Sequence, residues 1–173
     1  LGDYVHWVWS FSKDFAASGL RTGVLFSQNE ALLAAVGATN DAMMVSNLTQ
    51  LAFQTVIRDE FFVGSYVATN AQRLQRSYGI LAQMLAEMGV RVLPAQGGIF
   101  AFVSFAAVCG IATYEEEKAF FEHMLRHGVL LTPGHSCHCS LPGYFRVCYA
   151  FVTELAMMEG VRRIGQAIAP FRT

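Results

Sequence analysis

A single long amphipathic stretch, from Asp59 to Gly89, divides this sequence of 173 residues and limits the folds open to it. Gly89 can end a helix, because glycine readily takes the left-handed backbone that closes a last helical turn. The stretch therefore predicts one helix over 59–89, whose apolar face must be covered by the segments before and after it. That face is formed by residues at helical spacing: Phe62, Tyr66, Leu74, Tyr78, Leu81 and Leu85.

The two flanking segments differ in their patterns. Before the long helix, short apolar runs at 6–10 and 22–26 predict strands, the first of them buried, and the sequence from Ser27 to Asp59 predicts two helices. The segment after the long helix contains enough predicted sheet for a small α+β domain, whereas the segment before it has too little sheet to cover its helices. Apolar runs after the long helix predict four strands, at 90–93, 99–105, 129–131 and 145–149.

Polar residues indicate where the helices of the second part begin. Thr113 and Glu116 have the spacing of a capping box, so a helix is expected from there to about His127. Thr153 is expected to begin a last helix. The acidic run at 115–117 predicts a solvated first turn that the helix dipole favours.

The composition of the chain agrees with the shortage of sheet before the long helix. Hydrophobic residues make up 54% of the chain and charged residues only 14%, yet no apolar run reaches the roughly 18 residues that span a bilayer. We therefore expect no membrane segment, and an apolar surface that something outside this chain covers. A net charge of −1 argues against a nucleic-acid partner. The four cysteines are too sparse for a disulfide framework, so we expect reduced thiols in a cytoplasmic protein.

One short segment carries residues suited to covalent chemistry. Ser10-Phe11-Ser12-Lys13 follows the first predicted strand, and Arg21 lies eight residues after Lys13. A lysine amine can form a Schiff base with the aldehyde of pyridoxal phosphate and act as a base at a substrate α-carbon. The phosphate of that cofactor needs a planar guanidinium and hydroxyl donors, which Arg21, Ser10 and Ser12 can supply. The same residues also fit a surface lysine in a polar turn with an unrelated arginine.

Two motifs give this pattern a family resemblance. Residues 10–14, Ser-Phe-Ser-Lys-Asp, with residues 19–23, Gly-Leu-Arg-Thr-Gly, resemble the cofactor-lysine motif of class I and II aminotransferases. Residues 133–148, Pro-Gly-His-Ser-Cys-His-Cys-Ser-Leu-Pro-Gly-Tyr-Phe-Arg-Val-Cys, closely resemble the 1-aminocyclopropane-1-carboxylate synthase branch of that superfamily. The resemblance runs through essentially the whole chain in order and covers only the C-terminal half of such an enzyme.

The resemblance implies a fold as well. It is fold type I of the pyridoxal-phosphate-dependent transferases, an α/β class. Residues 1–58 would form part of the large cofactor-binding domain, residues 59–89 a bridging long helix, and residues 90–173 a small α+β C-terminal domain. The upstream half of such enzymes supplies an Asp for the pyridinium nitrogen, a Tyr, an aromatic residue stacked on the ring and an Asn, none of which can be assigned in this chain.

Individual residues also receive roles from the resemblance. Lys13 would be the Schiff-base lysine, Ser10, Ser12 and Arg21 would bind the cofactor, and Arg146 would bind the substrate α-carboxylate through two donors. The implied function is a pyridoxal 5′-phosphate-dependent enzyme that acts at the α-carbon of an amino acid, as an aminotransferase or a cyclopropane-forming synthase. A carbon–sulfur lyase of the same branch, and a non-catalytic fragment that needs its N-terminal half, stay open as alternatives.

Two further segments bear on partners and metals. Residues 46–50, Ser-Asn-Leu-Thr-Gln, match the family position where one subunit reaches the cofactor phosphate of the other, although they equally fit a polar break between helices. The expected partners are an amino-acid substrate, the missing N-terminal half and a second copy in a homodimer. Cys137, His138 and Cys139 have side chains that can ligate zinc, but their spacing without a second cysteine pair does not fit a tetrahedral site, and no metal is expected.

Overall fold

A computed structural model describes residues 2–40 and 42–171 and divides the chain into two compact units, with the boundary between Asn70 and Ala71. Four residues inside the predicted domain ranges lie outside the described residues: Leu1, Asp41, Arg172 and Thr173. The boundary between the units falls inside the long helix, and the predicted domain limits at 58 and 89 stay predictions.

The first unit contains a two-stranded sheet and helices. Antiparallel pairing places Ser10 opposite Gly23 and Trp7 opposite Phe26. Ser46 begins the third helix as its N-cap, because its Oγ accepts a hydrogen bond from the backbone N–H of Thr49 at 3.2 Å. In chain order the elements are β1 (Trp7–Ser10), α1 (Phe11–Asp14), β2 (Gly23–Phe26), α2 (Glu30–Asn40), α3 (Asn47–Arg58) and the first part of α4 (Glu60–Glu87).

The first predicted strand forms, but its prediction as a buried strand is wrong for this chain. Trp7 is 50% exposed and Val8 is 76% exposed. The sheet of this unit has two strands, so most of its apolar surface lies open. The buried apolar side chains among the described residues of this unit are Phe11 and Phe53, whose rings stack with centroids 3.9 Å apart.

Helix α4 confirms the long helix predicted from the amphipathic pattern. It ends where expected: Gly89 has a φ of +80°, and the N–H of Val90 donates to the carbonyl of Leu85 at 3.0 Å. This hydrogen bond and the left-handed glycine satisfy carbonyl groups at the end of the helix. Leu81 and Leu85, on the predicted apolar face, are fully buried.

The second unit is a four-stranded antiparallel sheet with helices packed on it. Its strands are β3 (Arg91–Val92), β4 (Phe100–Ser104), β5 (Thr132–Pro133) and β6 (Tyr144–Cys148), arranged in the order β3-β4-β6-β5. Its helices are the second part of α4, α5 (Ala106–Cys109), α6 (Tyr114–Arg126) and α7 (Glu154–Ile168). Alternate residues of the central strands enter the core with the helices: Ala101, Val103, Phe145 and Val147.

Both predicted helix starts in this unit are confirmed. Thr113 and Glu116 form the complete capping box, and the N–H groups of Ala112 and Thr113 hold the pKa of the Glu116 carboxyl below its usual range. Thr153 begins α7, because its side chain accepts from the N–H of Ala156 at 3.3 Å. Near the start of the same helix, Arg76 on α4 donates two hydrogen bonds to the carboxylate of Glu154.

Two predictions for the second unit are wrong. The strand expected at 129–131 begins only at Thr132, because the N–H of Val129 is used at the end of α6, where it donates to the carbonyl of Met124 at 3.0 Å. The acidic run at 115–117 is not solvated throughout, because Glu117 is only 1% exposed. Within the described parts of the chain, no helix combines the length and the apolar character needed to cross a bilayer.

Candidate active site

The predicted site residues fall in both units: Ser10, Ser12, Lys13 and Arg21 in the first, and Arg146 in the second. Each group is built by its own local structure. The first group depends on the turn that follows β1, and the second on the open face of the four-stranded sheet.

Lys13 lies on α1, a single turn of helix that directly follows β1. Phe11 points into the first unit and is 5% exposed, whereas Lys13 lies exposed on the same turn. Trp9 and Asp14 brace this turn, because the indole Nε1–H donates to Asp14 Oδ2 at 2.6 Å. The turn that carries Lys13 is therefore held by a hydrogen bond between Trp9 and Asp14 and by the buried ring of Phe11.

Two hydroxyl groups lie side by side immediately before Lys13. Ser10 Oγ donates to Ser12 Oγ at 2.8 Å and accepts from the backbone N–H of Ser12 at 3.0 Å. Ser10 Oγ also contacts the carbonyl of Thr22 at 3.2 Å, across the pairing of β1 with β2. This strand register brings the Ser-x-Ser-Lys segment next to the chain that carries Arg21.

Arg21 occupies an uncommon backbone conformation. Its φ is +50° and its ψ is +44°, the left-handed region that non-glycine residues seldom adopt. Such conformations cluster at functional sites, where the surrounding structure holds them in place. Here the guanidinium Nη1 donates to the carbonyl of Ser18 at 2.9 Å, inside the same turn.

These donors fit the phosphate group of a cofactor. Two hydroxyl groups and an exposed guanidinium, which lie between the last residue of β1 and the start of β2, are the donor types that bind a phosphate with nearly two negative charges. A lysine next to them is the side chain that reacts with an aldehyde. The residues present in the first unit are thus suited to pyridoxal phosphate.

Arg146 lies on β6, on the face of the sheet that points away from the core. Phe102 on β4 and Thr132 on β5 are its partners in the strand register. The guanidinium carbon lies 4.5 Å from the centre of the Phe100 ring, and Nη2 is 3.5 Å from Thr132 Oγ1. An aromatic platform and a neighbouring hydroxyl group therefore fix the plane of the guanidinium.

One donor of Arg146 lacks a partner. Its Nε atom is buried, and no residue of the described chain accepts a hydrogen bond from it. A buried unpaired N–H is unfavourable by about 1–3 kcal/mol, so such groups usually have a ligand or a water as partner. A carboxylate is the group that matches an arginine fork.

The loop between β5 and β6 contains the Cys-His-Cys sequence. Cys137 and Cys139 are free thiols, and His138 between them has a φ of +58°. Over residues 2–40 and 42–171, no group of three or more His, Cys, Asp or Glu side chains is arranged to hold a metal ion.

The sequence patterns gave no role to three residues of this region. Phe100 and Thr132 contact Arg146, and strand pairing that only the fold fixes brings them there. Glu117 was treated as part of a solvated charge run. Its spacing of three and seven residues from Phe120 and Met124, both buried, was the signal that it lies on the core face of α6.

Comparison with known proteins defines the family. The family model of aminotransferase class I and II matches residues 2–164, so the chain belongs to the aminotransferase class I and II family. Enzymes of this family depend on pyridoxal 5′-phosphate. The predicted membership and the predicted cofactor are therefore confirmed at the level of the family.

Among curated relatives, 1-aminocyclopropane-1-carboxylate synthase 4 of Oryza sativa subsp. japonica is 36% identical over 172 residues, which cover 96% of this chain and 35% of that protein. 1-aminocyclopropane-1-carboxylate synthase 11 of Arabidopsis thaliana is 31% identical over 165 residues, covering 95% of this chain and 36% of that protein. The chain thus spans about a third of the length of the curated relatives it matches.

A solved structure of similar fold is a mutant aspartate aminotransferase of Thermus thermophilus in complex with tryptophan. It superposes with a TM-score of 0.83 at 17% identity, over 95% of this chain and 41% of that chain. At this identity the similarity shows the fold alone. It confirms the predicted fold class, part of a type I pyridoxal-phosphate transferase.

Proposed function

We propose that the protein is a pyridoxal-phosphate-dependent enzyme that acts at the α-carbon of an amino acid. In this proposal Lys13 holds the cofactor covalently, Ser10, Ser12 and Arg21 bind its phosphate, and Arg146 binds the substrate carboxylate. Membership of the aminotransferase class I and II family supports the cofactor and the substrate class.

The observation that carries the proposal is the register of β1 with β2. It aligns Ser10 with Gly23. The turn with Lys13, which follows β1, and the turn with Arg21, which precedes β2, therefore lie at the same end of one two-stranded sheet. Gly23 permits this close pairing, because a Cβ atom there would lie 3.2 Å from the carbonyl oxygen of Trp9. Hydroxyl, guanidinium and amine groups of suitable chemistry thereby share one small region of the first unit.

Each side chain then has a definite task. When bound, pyridoxal phosphate supplies an electron sink for the negative charge that forms at the substrate α-carbon. Lys13 Nζ takes the proton from that carbon, because an amine released from covalent attachment is a base of suitable strength. Arg146 holds the carboxylate through two N–H donors of its guanidinium.

The proposal extends to partners and location. Exposed apolar side chains of the first unit, such as Trp7, Val8 and Phe61, support coverage by an upstream half of the same protein and by a second subunit in a homodimer. The N-cap role of Ser46 supports the polar break between helices that was the alternative for residues 46–50. A cytoplasmic location rests on the small number of cysteines.

Replacement of Lys13 tests the proposal directly. The full-length protein is incubated with pyridoxal phosphate, the absorbance near the visible edge is recorded, and borohydride then fixes any covalent adduct for mass spectrometry. We expect Lys13→Ala to lose both the absorbance band and the adduct. Lys118, the other lysine of this chain, is exposed on α6, so Lys118→Ala is the matched control and should keep both.

An adduct that persists at full yield in Lys13→Ala contradicts the assignment.

Within the proposed class, turnover with S-adenosylmethionine, with a cysteine conjugate and with alanine plus a keto acid distinguishes ring closure, carbon–sulfur cleavage and transamination. The identity of 36% to a 1-aminocyclopropane-1-carboxylate synthase favours S-adenosylmethionine as the first substrate to test.

A further inference from the structure

Glu117 is a buried carboxylate that the proposed function does not use. It lies on the core face of α6 and is 1% exposed, beside the fully buried Phe120 and Met124. Burial of a carboxylate among apolar side chains is unfavourable unless its oxygens accept hydrogen bonds. The hydrogen-bond donors that contact Glu117 therefore indicate why a carboxylate is buried at this position.

Both oxygens of Glu117 accept hydrogen bonds from one loop. Oε1 accepts from the backbone N–H of His135 at 3.1 Å, and Oε2 accepts from the backbone N–H of Gly143 at 2.7 Å. These two residues lie near the two ends of the loop that joins β5 to β6. A single carboxylate thus links the start and the end of the loop to α6.

Two other contacts hold the same loop closely. The hydroxyl group of Tyr114, the first residue of α6, donates to the carbonyl of Cys139 at 2.9 Å, in the middle of the loop. The carbonyl of Gly143 accepts from the N–H of Phe105 at 2.8 Å. Helix α6 therefore contacts the loop at its beginning, middle and end.

We propose that Glu117 is a positioning residue for Arg146. The inference rests on the proposed function, in which Arg146 binds the substrate carboxylate. Strand β6 begins directly after Gly143, and Arg146 is the third residue beyond that glycine. The hydrogen bond from Gly143 to Glu117 fixes the point at which β6 joins β4, and with it the position of the guanidinium on the sheet.

The chemistry of the two bonds requires a carboxylate. Both partners are N–H donors, and a carboxylate offers two acceptor oxygens in one plane. A glutamine has the same shape, but one of its two ends is an NH₂ group, which would face a donor. Glu117→Gln therefore keeps the volume of the side chain and leaves one buried N–H unpaired.

The test compares two ligands that differ by the carboxylate alone. L-alanine and ethylamine are titrated into the full-length protein loaded with pyridoxal phosphate, and binding is followed by the cofactor absorbance. We expect Glu117→Gln to weaken L-alanine binding by about tenfold, the size of effect that loss of one hydrogen bond to a charged group has, with ethylamine binding unchanged. Glu115→Gln, an exposed change on the same helix turn, should alter neither.

Arg146→Lys in the same assay separates the two proposals. If Arg146→Lys weakens L-alanine binding and Glu117→Gln does not, the positioning role is wrong and the proposed function stands. An unchanged ratio of the two ligands in Arg146→Lys overturns both. If Glu117→Gln does not fold, Tyr114→Phe removes the mid-loop hydrogen bond instead, and a smaller shift of the ligand ratio in the same direction is expected. An unchanged ratio in that variant overturns the inference.

Discussion

Gly143 occupies a point where the chain leaves no room for a side chain. Its φ is +80°, and a Cβ atom would lie 2.9 Å from both Cα and Cβ of Ala106. The same residue donates to Glu117 and accepts from Phe105, so a shift of the backbone would break two hydrogen bonds. A single glycine therefore joins the loop, α5 and α6.

We expect Gly143→Ala to lower the free energy of unfolding by about 1–3 kcal/mol, because alanine is strained at this φ and contacts Ala106. Gly160→Ala is the matched control. Gly160 lies inside α7, and beyond its chain neighbours and the backbone of its own helix no atom lies within 4 Å of the point that a Cβ atom would take, so alanine should stabilise the protein by about 0.5–1 kcal/mol. Thermal unfolding of both variants measures the difference, and equal effects would contradict the steric argument.

At the scale of single elements, the end of α6 carries a pH-sensitive contact. Burial lowers the pKa of His123 below its ordinary value of 6.5, and the nearby His127 and Arg126 lower it further. The ring of Phe171 packs edge-on against the same imidazole, with centroids 5.4 Å apart. The folded state therefore favours neutral His123.

The sign of the pH effect follows from this shift. Because the folded-state pKa is the lower one, the stability linked to His123 is fully present above about 6.5 and is lost as the pH falls through the folded-state pKa. We expect His123→Leu to show a smaller drop in melting temperature than the unmodified protein between neutral and mildly acidic pH. His138→Asn, a change at a histidine outside the core with left-handed backbone, should keep the full drop.

The ends of the helices and strands show which structural features the sequence alone predicts. Thr113, Thr153 and Gly89 mark helix ends through local chemistry, a capping hydroxyl or a left-handed glycine, and such signals are complete in the sequence. The start of β5 was misplaced because Val129 is apolar like a strand residue while its N–H serves the preceding helix. That competition depends on three-dimensional hydrogen bonding.

The candidate site also contains residues that local motifs predict and residues that only the fold brings together. Lys13 and Arg146 stand in motifs that the sequence displays directly. The platform formed by Phe100 depends on the pairing of β4 with β6, which joins residues forty or more positions apart along the chain. Glu117 was misjudged because it follows two other glutamates, Glu115 and Glu116, and a charge run hides the one member that turns inward.

At the scale of the whole molecule, the two units differ in how many apolar side chains each one buries. The second unit has a continuous apolar core built from α4, the sheet, α6 and α7, with Leu85, Val103 and Met124 fully buried. In the described part of the first unit, the buried apolar side chains are Phe11 and Phe53. A domain needs its own buried core to fold independently.

We therefore expect residues 71–173 to fold alone and residues 2–70 to require added chain or a partner. Each segment would be expressed separately and followed by thermal unfolding and by the dispersion of its amide NMR signals. The longer segment should unfold cooperatively with dispersed signals, and the shorter one should not. A cooperative transition of residues 2–70 alone would show that the aromatic contacts of Trp9, Phe11 and Phe15 suffice as a core.

The indole contact beside Lys13 has an optical consequence. Both tryptophans of this chain, Trp7 and Trp9, lie on β1 with nearly parallel rings 6.1 Å apart, and Trp9 is hydrogen-bonded to Asp14 on the turn of Lys13. Their emission therefore originates beside the amine, where a chromophore absorbing near the visible edge would accept excitation energy. We therefore expect binding of pyridoxal phosphate at the proposed Lys13 site to quench the fluorescence of these two tryptophans.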